Sequence, residues 1–163
     1  MSLYPLTAAF VFLALVSRAA PNPEQPSNLF KGGWNAWLCP AGISQDHNKC
    51  SHFIVYLYEA NGKLCGAHAF ATAGGNRTDD GSAPSIVGAI VGSSAEIAIT
   101  SGRADPPVTI RARITRKGVR LRWKTLDSMQ GDYLLSPDVW LTRDNSPVFS
   151  DEFALRLKAA CAK

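Results

Sequence analysis

An antiparallel β-barrel, or a strongly curved antiparallel sheet, closed by one short C-terminal helix is the fold class this sequence predicts. Three observations predict it. Many short strand-like runs follow one another along the chain, Gly-, Asn-, Asp- and Pro-rich turn signals separate them, and one helical stretch stands at the C-terminus.

Residues 1–19 read as a secretory signal peptide. An apolar run over residues 6–16 leads to Ser17, Arg18 and Ala19, where Ser17 and Ala19 satisfy the small-x-small rule and put the mature start at Ala20. The run is too short to span a bilayer, so no stable membrane anchor is expected after cleavage. Residues 20–29, rich in Pro and polar side chains, form a flexible lead-in. One β-rich domain follows over residues 30–163, long enough to bury roughly two-thirds of its unfolded surface.

Residues 33–39 make a first strand and residues 52–60 a second, in which Phe53, Val55 and Leu57 alternate with Ile54, Tyr56 and Tyr58, so that both faces are covered. Asn61-Gly62 is a favourable two-residue hairpin loop because both positions accept positive φ, and residues 63–72 return as the partner. That register sets Tyr58 opposite Cys65, Tyr56 opposite Ala67 and Val55 opposite His68, large against small as a curved sheet requires. Residues 73–85, with three glycines, a proline and the pair Asp79-Asp80, predict a long exposed loop. Short strands over residues 86–91 and 96–101 flank Gly92-Ser93-Ser94, and a turn at residues 104–107 precedes a longer hairpin.

That hairpin, residues 108–124, has an apolar face (Val108, Ile110, Ala112, Ile114, then Val119, Leu121, Trp123) and a basic face (Arg111, Arg113, then Arg120, Arg122, Lys124). Its turn is either Lys117-Gly118 or the four residues 115–118; both keep the faces in phase and set Arg113 opposite Arg122 or Arg120. A last strand over residues 139–142 precedes a helix over residues 151–161, capped by Ser150, with Asp151 and Glu152 at its positive end. Phe153, Leu157, Ala160 and Cys161 share its apolar stripe and Leu155 falls off it.

Cys39, Cys50, Cys65 and Cys161 all follow the leader, and an even count in an exported chain implies two disulfides. Three connectivities are open. Cys39 and Cys50 bracket a Pro/Gly/Asn loop that closes locally, which favours Cys39 with Cys50 and Cys65 with Cys161. The formal charge of +4 drops to +3 when Arg18 leaves with the leader, too small an excess to imply nucleic acid.

His47, His52 and His68 lie at no metal-ligand spacing, and no Cys-x-x-Cys, His-Glu-x-x-His or Gly-x-Ser-x-Gly occurs, so neither a catalytic site, a cofactor nor a metal is expected. His47 stands beside Asp46, which could orient it; His68 reads as a strand residue packed beside Val55. The four tryptophans, Trp34, Trp37, Trp123 and Trp140, read mostly as core, although Trp34 and Trp37, three apart, cannot both face inward on a regular strand. The basic face places like charges opposite each other and therefore needs compensation. Acidic residues between Asp127 and Glu152 supply it internally, or an anionic partner supplies it from outside.

In its layout of leader, paired cysteines, β-rich domain and Gly-Ser loops, the chain resembles small bacterial periplasmic inhibitors: lysozyme inhibitors, and immunity proteins that neutralise peptidoglycan amidases delivered by type VI secretion. The resemblance implies a non-enzymatic periplasmic or secreted protein that binds an envelope or secreted enzyme and occupies its active site. Gly92, Ser93 and Ser94 are, on steric grounds, the candidate cleft-blocking loop, with Arg111, Arg113, Arg120 and Arg122 as the candidate docking face. A lipocalin-like barrel binding a small ligand, with a cavity behind Trp34 or Trp37, is the alternative, and a hydrolase with a deep pocket joining His47 or His68 to an acid is the third.

Overall fold

Period-two alternation produces nine strands among the described residues of the computed structural model, which are 28–127, 131–144 and 151–162. The expected signal peptide, most of the expected lead-in and the expected Ser150 cap lie outside them. The strands are β1 (Gly32–Leu38), β2 (Ser51–Ala60), β3 (Lys63–Ala71), β4 (Thr78–Asp80), β5 (Ile86–Val91), β6 (Ser94–Ser101), β7 (Val108–Lys117), β8 (Arg120–Thr125) and β9 (Asp138–Asp144), followed by helix α1 (Asp151–Cys161). With β4 set aside, successive strands pair antiparallel, β3 with β5 included, and β1 closes on β9 at Trp34↔Arg143, giving a closed eight-stranded up-and-down barrel. Closure leaves no free edge on the barrel wall. Strand β4 adds to the end of β3.

The β2–β3 hairpin has the expected register, Tyr58↔Cys65, Tyr56↔Ala67 and Val55↔His68, with Asn61 and Gly62 both at positive φ. Opposite Leu57 stands Gly66, where an added Cβ would strike the Tyr56 carbonyl and the Leu57 side chain, so the wall curves tightly only because that position is bare. Inside, Trp34, Trp123, Phe30, Phe53, Val55, Leu57, Leu64, Ile86, Ile99, Ile110, Ile114, Leu121 and Leu141 fill the barrel. Each such side chain contributes roughly 1.5–3 kcal/mol on burial, which makes this interior the main source of stability.

Two disulfides staple the barrel as favoured from the sequence, Cys39–Cys50 at one end and Cys65–Cys161 between β3 and α1. They are the mark of a domain that works outside the reducing cytoplasm. Helix α1 lies over the outer face of β2 and β3, burying Leu157 and setting Phe153 edge-on to Tyr56 at 5.9 Å. Leu155 points away.

Several local readings need correction. The β7–β8 turn is Gly118-Val119, one residue later than expected: Lys117 pairs with Arg120, Arg113 faces Lys124 rather than Arg122 or Arg120, and Val119 leaves the apolar face for solvent. Only Gly118 carries positive φ, the pattern of a turn with Gly first of its two central residues. The turn before β6 has the same pattern, Gly92-Ser93, so Ser94 belongs to the strand and β6 starts two residues early. The segment 73–85 is not all exposed loop, since β4 forms within it and turns Asp79 into the interior. Trp140 faces outward at 41% exposure, and Trp37 lies on the outer face stacked on His52 at 4.0 Å.

Candidate functional site

Arg111, Arg113 and Arg122 all project outward from β7 and β8, as the alternation requires, but each has an internal acid. Asp127 takes Arg111 at 2.7 Å, Asp138 takes Arg122 through a two-point pair of 3.0 and 2.7 Å, and Glu96 takes Arg113. Hydrogen bonding to these partners comes first among the causes that raise Arg111 and Arg122 above the ordinary guanidinium value and lower Asp127 and Asp138 below the ordinary carboxylate value. Two of the three acids belong to the acidic C-terminal segment. Asp132 of that segment instead bridges Arg77 and Arg103. Arg120 forms no ion pair among the described residues and lies over Trp140, 4.9 Å from its ring centre. The basic face is thus largely neutralised within the chain, and such exposed pairs, screened by solvent, contribute little to stability.

The barrel has two unlike ends. At one, the β2–β3, β5–β6 and β7–β8 turns gather with the start of β1 and the end of β9. Here Gly92 and Ser93 form the tip of the β5–β6 hairpin, and the Ser93 carbonyl accepts a hydrogen bond from the Arg116 N–H at 2.7 Å, tying this tip to the neighbouring β7–β8 tip. Ser94, one step down the wall, bonds the Thr115 hydroxyl at 3.0 Å. The tips expose Val91 and Val119 at 76% and 80%, the highest values among the exposed large apolar side chains. Of the residues nominated from the sequence, Gly92, Ser93 and Arg120 thus lie at this end, whereas Arg111, Arg113 and Arg122 lie down the wall.

Sequence reasoning missed two residues at the same end. Arg116 continues the inward series Ile110, Ala112, Ile114, and Arg143 continues Val139, Leu141, so both turn toward the barrel axis above Trp34. Their guanidinium carbons lie 4.7 and 4.2 Å from the Trp34 ring centre. The signal was the alternation itself, carried two residues past where the apolar residues end.

The opposite end holds a buried polar cluster. His68 Nδ1 lies 2.8 Å from Ser85 Oγ, His68 Nε2 lies 3.6 Å from Asp79, and Ser101 Oγ donates to the Asp79 carboxylate at 2.8 Å. Leu134 N–H donates to Asp79 at 2.7 Å. A serine, an imidazole and a carboxylate in line resemble a hydrolase triad in composition. Yet Asp79 is 0% and His68 4% exposed, and Ser85 Oγ also accepts the His68 backbone N–H at 3.1 Å. The cluster therefore joins β3, β4, β6 and the segment before β9 as a buried polar core, in which His68 Nε2, 3.6 Å from Asp79, is left without a hydrogen-bond partner. His47 and His52 meet Trp37, and Asp46 serves the Asn48 N–H and Lys49. Among the described residues no group of three or more His, Cys, Asp or Glu is placed to hold a metal.

No protein-family model, curated protein or solved structure matches this chain.

Proposed function

We propose that this protein is exported through the leader of residues 1–19 to the periplasm or exterior, and there binds an envelope or secreted enzyme without itself being one, inhibiting it or conferring immunity to it. The observation that carries the reading is the pair of adjoining hairpin tips, in which Val91 and Val119 stand out of a disulfide-stapled barrel beside Gly92 and Ser93. Apolar side chains on narrow tips have no folding role where they stand, and they gain by entering a cleft of another protein. Small neighbours let the tip enter without steric cost. Trp34 belongs to the buried core cluster, which favours this reading over the lipocalin-like alternative.

The test is capture on tagged mature protein from periplasmic and secreted extracts, followed by mass spectrometry. The expected result is one cell-wall-degrading or other envelope enzyme retained, whose activity falls when the protein is added. Val91→Asp with Val119→Asp is expected to abolish retention while shifting unfolding free energy by no more than about 0.5 kcal/mol, since both sites are exposed. Retention of nothing at low or high salt, or retention unaffected by the double substitution, sinks the reading.

A further inference from the structure

We infer that the barrel end above Trp34 is an oxyanion site, with Arg116 and Arg143 as the two guanidinium groups that would hold a carboxylate or phosphate. The inference stands apart from the docking reading and is tested without a partner protein.

Both arginines occupy inward positions of a barrel whose other inward positions are mostly apolar. Such placement removes water from part of each guanidinium, and a desolvated cation requires a partner. Neither finds an acid: among the described residues no carboxylate is paired with Arg116 or Arg143 within salt-bridge distance. Arg143 donates to the Lys31 carbonyl, and Arg116 Nη1 is buried with no hydrogen-bond partner. Glu59, the inward carboxylate at this end, is occupied by the Phe30 N–H at 3.1 Å. The contrast with the wall is sharp, because Arg111, Arg113 and Arg122 are each matched there by an acid.

The two cations also oppose each other. Burial first, and then the charge of Arg116, lower Arg143 below the ordinary guanidinium value. The Trp34 face stabilises both, but an aromatic ring accepts no N–H in the plane of the guanidinium and leaves those donors free for an anion. The seat is also shaped by the backbone. Gly32 has φ +113°, and a Cβ there would collide with Arg143 Nη1, so the guanidinium lies where only glycine leaves room. The side toward solvent is open, since Arg143 is exposed and Arg116 only half-buried. Lys31, Lys63, Lys117 and Arg120 at the same end add positive potential that would draw an anion in.

The experiment titrates the mature protein with sodium phosphate and, separately, sodium acetate, against sodium chloride at matched ionic strength. Binding is followed by calorimetry and by the arginine Nε–H signals in nitrogen-15 NMR spectra. Saturable binding of at least one oxyanion is expected, with the Arg116 and Arg143 signals moving together and that of Arg111 staying still; which anion binds tells carboxylate from phosphate. Arg116→Gln and Arg143→Gln should each weaken binding at least tenfold, while Arg111→Gln leaves it unchanged. Should one Gln variant fail to fold, the other and the wild-type signals decide. No saturable binding by either anion, or binding that persists in a folded Gln variant, overturns the inference.

Discussion

Asp79 lies at zero exposure and receives the Ser101 hydroxyl and the Leu134 N–H, with the His68 imidazole 3.6 Å away. Burial alone would raise its pKa. The His68 imidazole, the Leu134 N–H and the Ser101 hydroxyl together more than offset burial, and the carboxyl stays below its ordinary 3.8. Because the folded value is the lower one, the stability this gives is complete above that ordinary value and is lost as pH falls from there through the folded value. Asp79→Ala, which orphans donors from β6 and from the segment before β9, is expected to cost about 3–5 kcal/mol in urea unfolding and to flatten the acid limb of the stability curve. An acid limb unchanged in the variant would show that another carboxyl carries it. None of this was legible beforehand: Asp79 sits in a Gly-, Ser- and Pro-rich stretch, and local composition cannot show that His68 before it and Ser101 and Leu134 after it close over it. His68 was legible as the partner of Val55, and as a histidine that a pocket could join to an acid, without the acid's identity.

At the scale of elements, turns decided what could be read. Asn61-Gly62 fixed a whole hairpin because both residues tolerate positive φ and no neighbouring pair competes. Around Gly118 two registers looked natural, and the third won because Gly stands first of the two central positions. The faces survived that error because all three loops have even length, whereas the cross-strand partners of Arg113 did not. Helix α1 was legible to the residue, since its stripe is short and ends in Cys161, for which Cys65 was the favoured partner. The same economy makes it dependent on that bond, because Leu157 is its one fully buried side chain among the described residues. Cys161→Ser with Cys65→Ser is expected to lower global stability by about 3–5 kcal/mol, the scale for a loop of this length. Amides of residues 151–161 should then exchange much faster than those of β6 and β7. Helix amides as protected as in the native protein would show that packing, and not the disulfide, holds α1.

On the scale of the whole molecule, the barrel was legible because closure is the one arrangement that lets eight such strands bury one face each without an edge, and the sequence shows the alternation directly. The site was less so, because function here concerns which charges remain unsatisfied after folding, and charge balance depends on contacts between distant segments. Arg122 and Asp138 are near in space through the β8–β9 pairing, and Glu96 meets Arg113 only because β6 adjoins β7. The same balance yields a prediction about the basic wall. With its ion pairs exposed and individually weak, the double reversal Arg113→Glu with Arg122→Glu should leave the cooperative unfolding transition in place, with only a small fall in its midpoint. The carboxylate introduced at position 113 would gain Lys124 across the β7–β8 pairing as it loses its attraction to Glu96, and the one at position 122 would meet a like charge at Asp138. The fold should therefore persist while the net charge of this wall changes sign. If the wall steers an acidic enzyme toward the hairpin tips, the reversal should slow association at low salt, with a smaller change in dissociation, and the difference should fade as salt rises. Surface-immobilised protein measured against the captured enzyme at two ionic strengths gives both rates. An association rate indifferent to the reversal at low salt would confine recognition to the barrel end and leave the wall arginines a purely internal role.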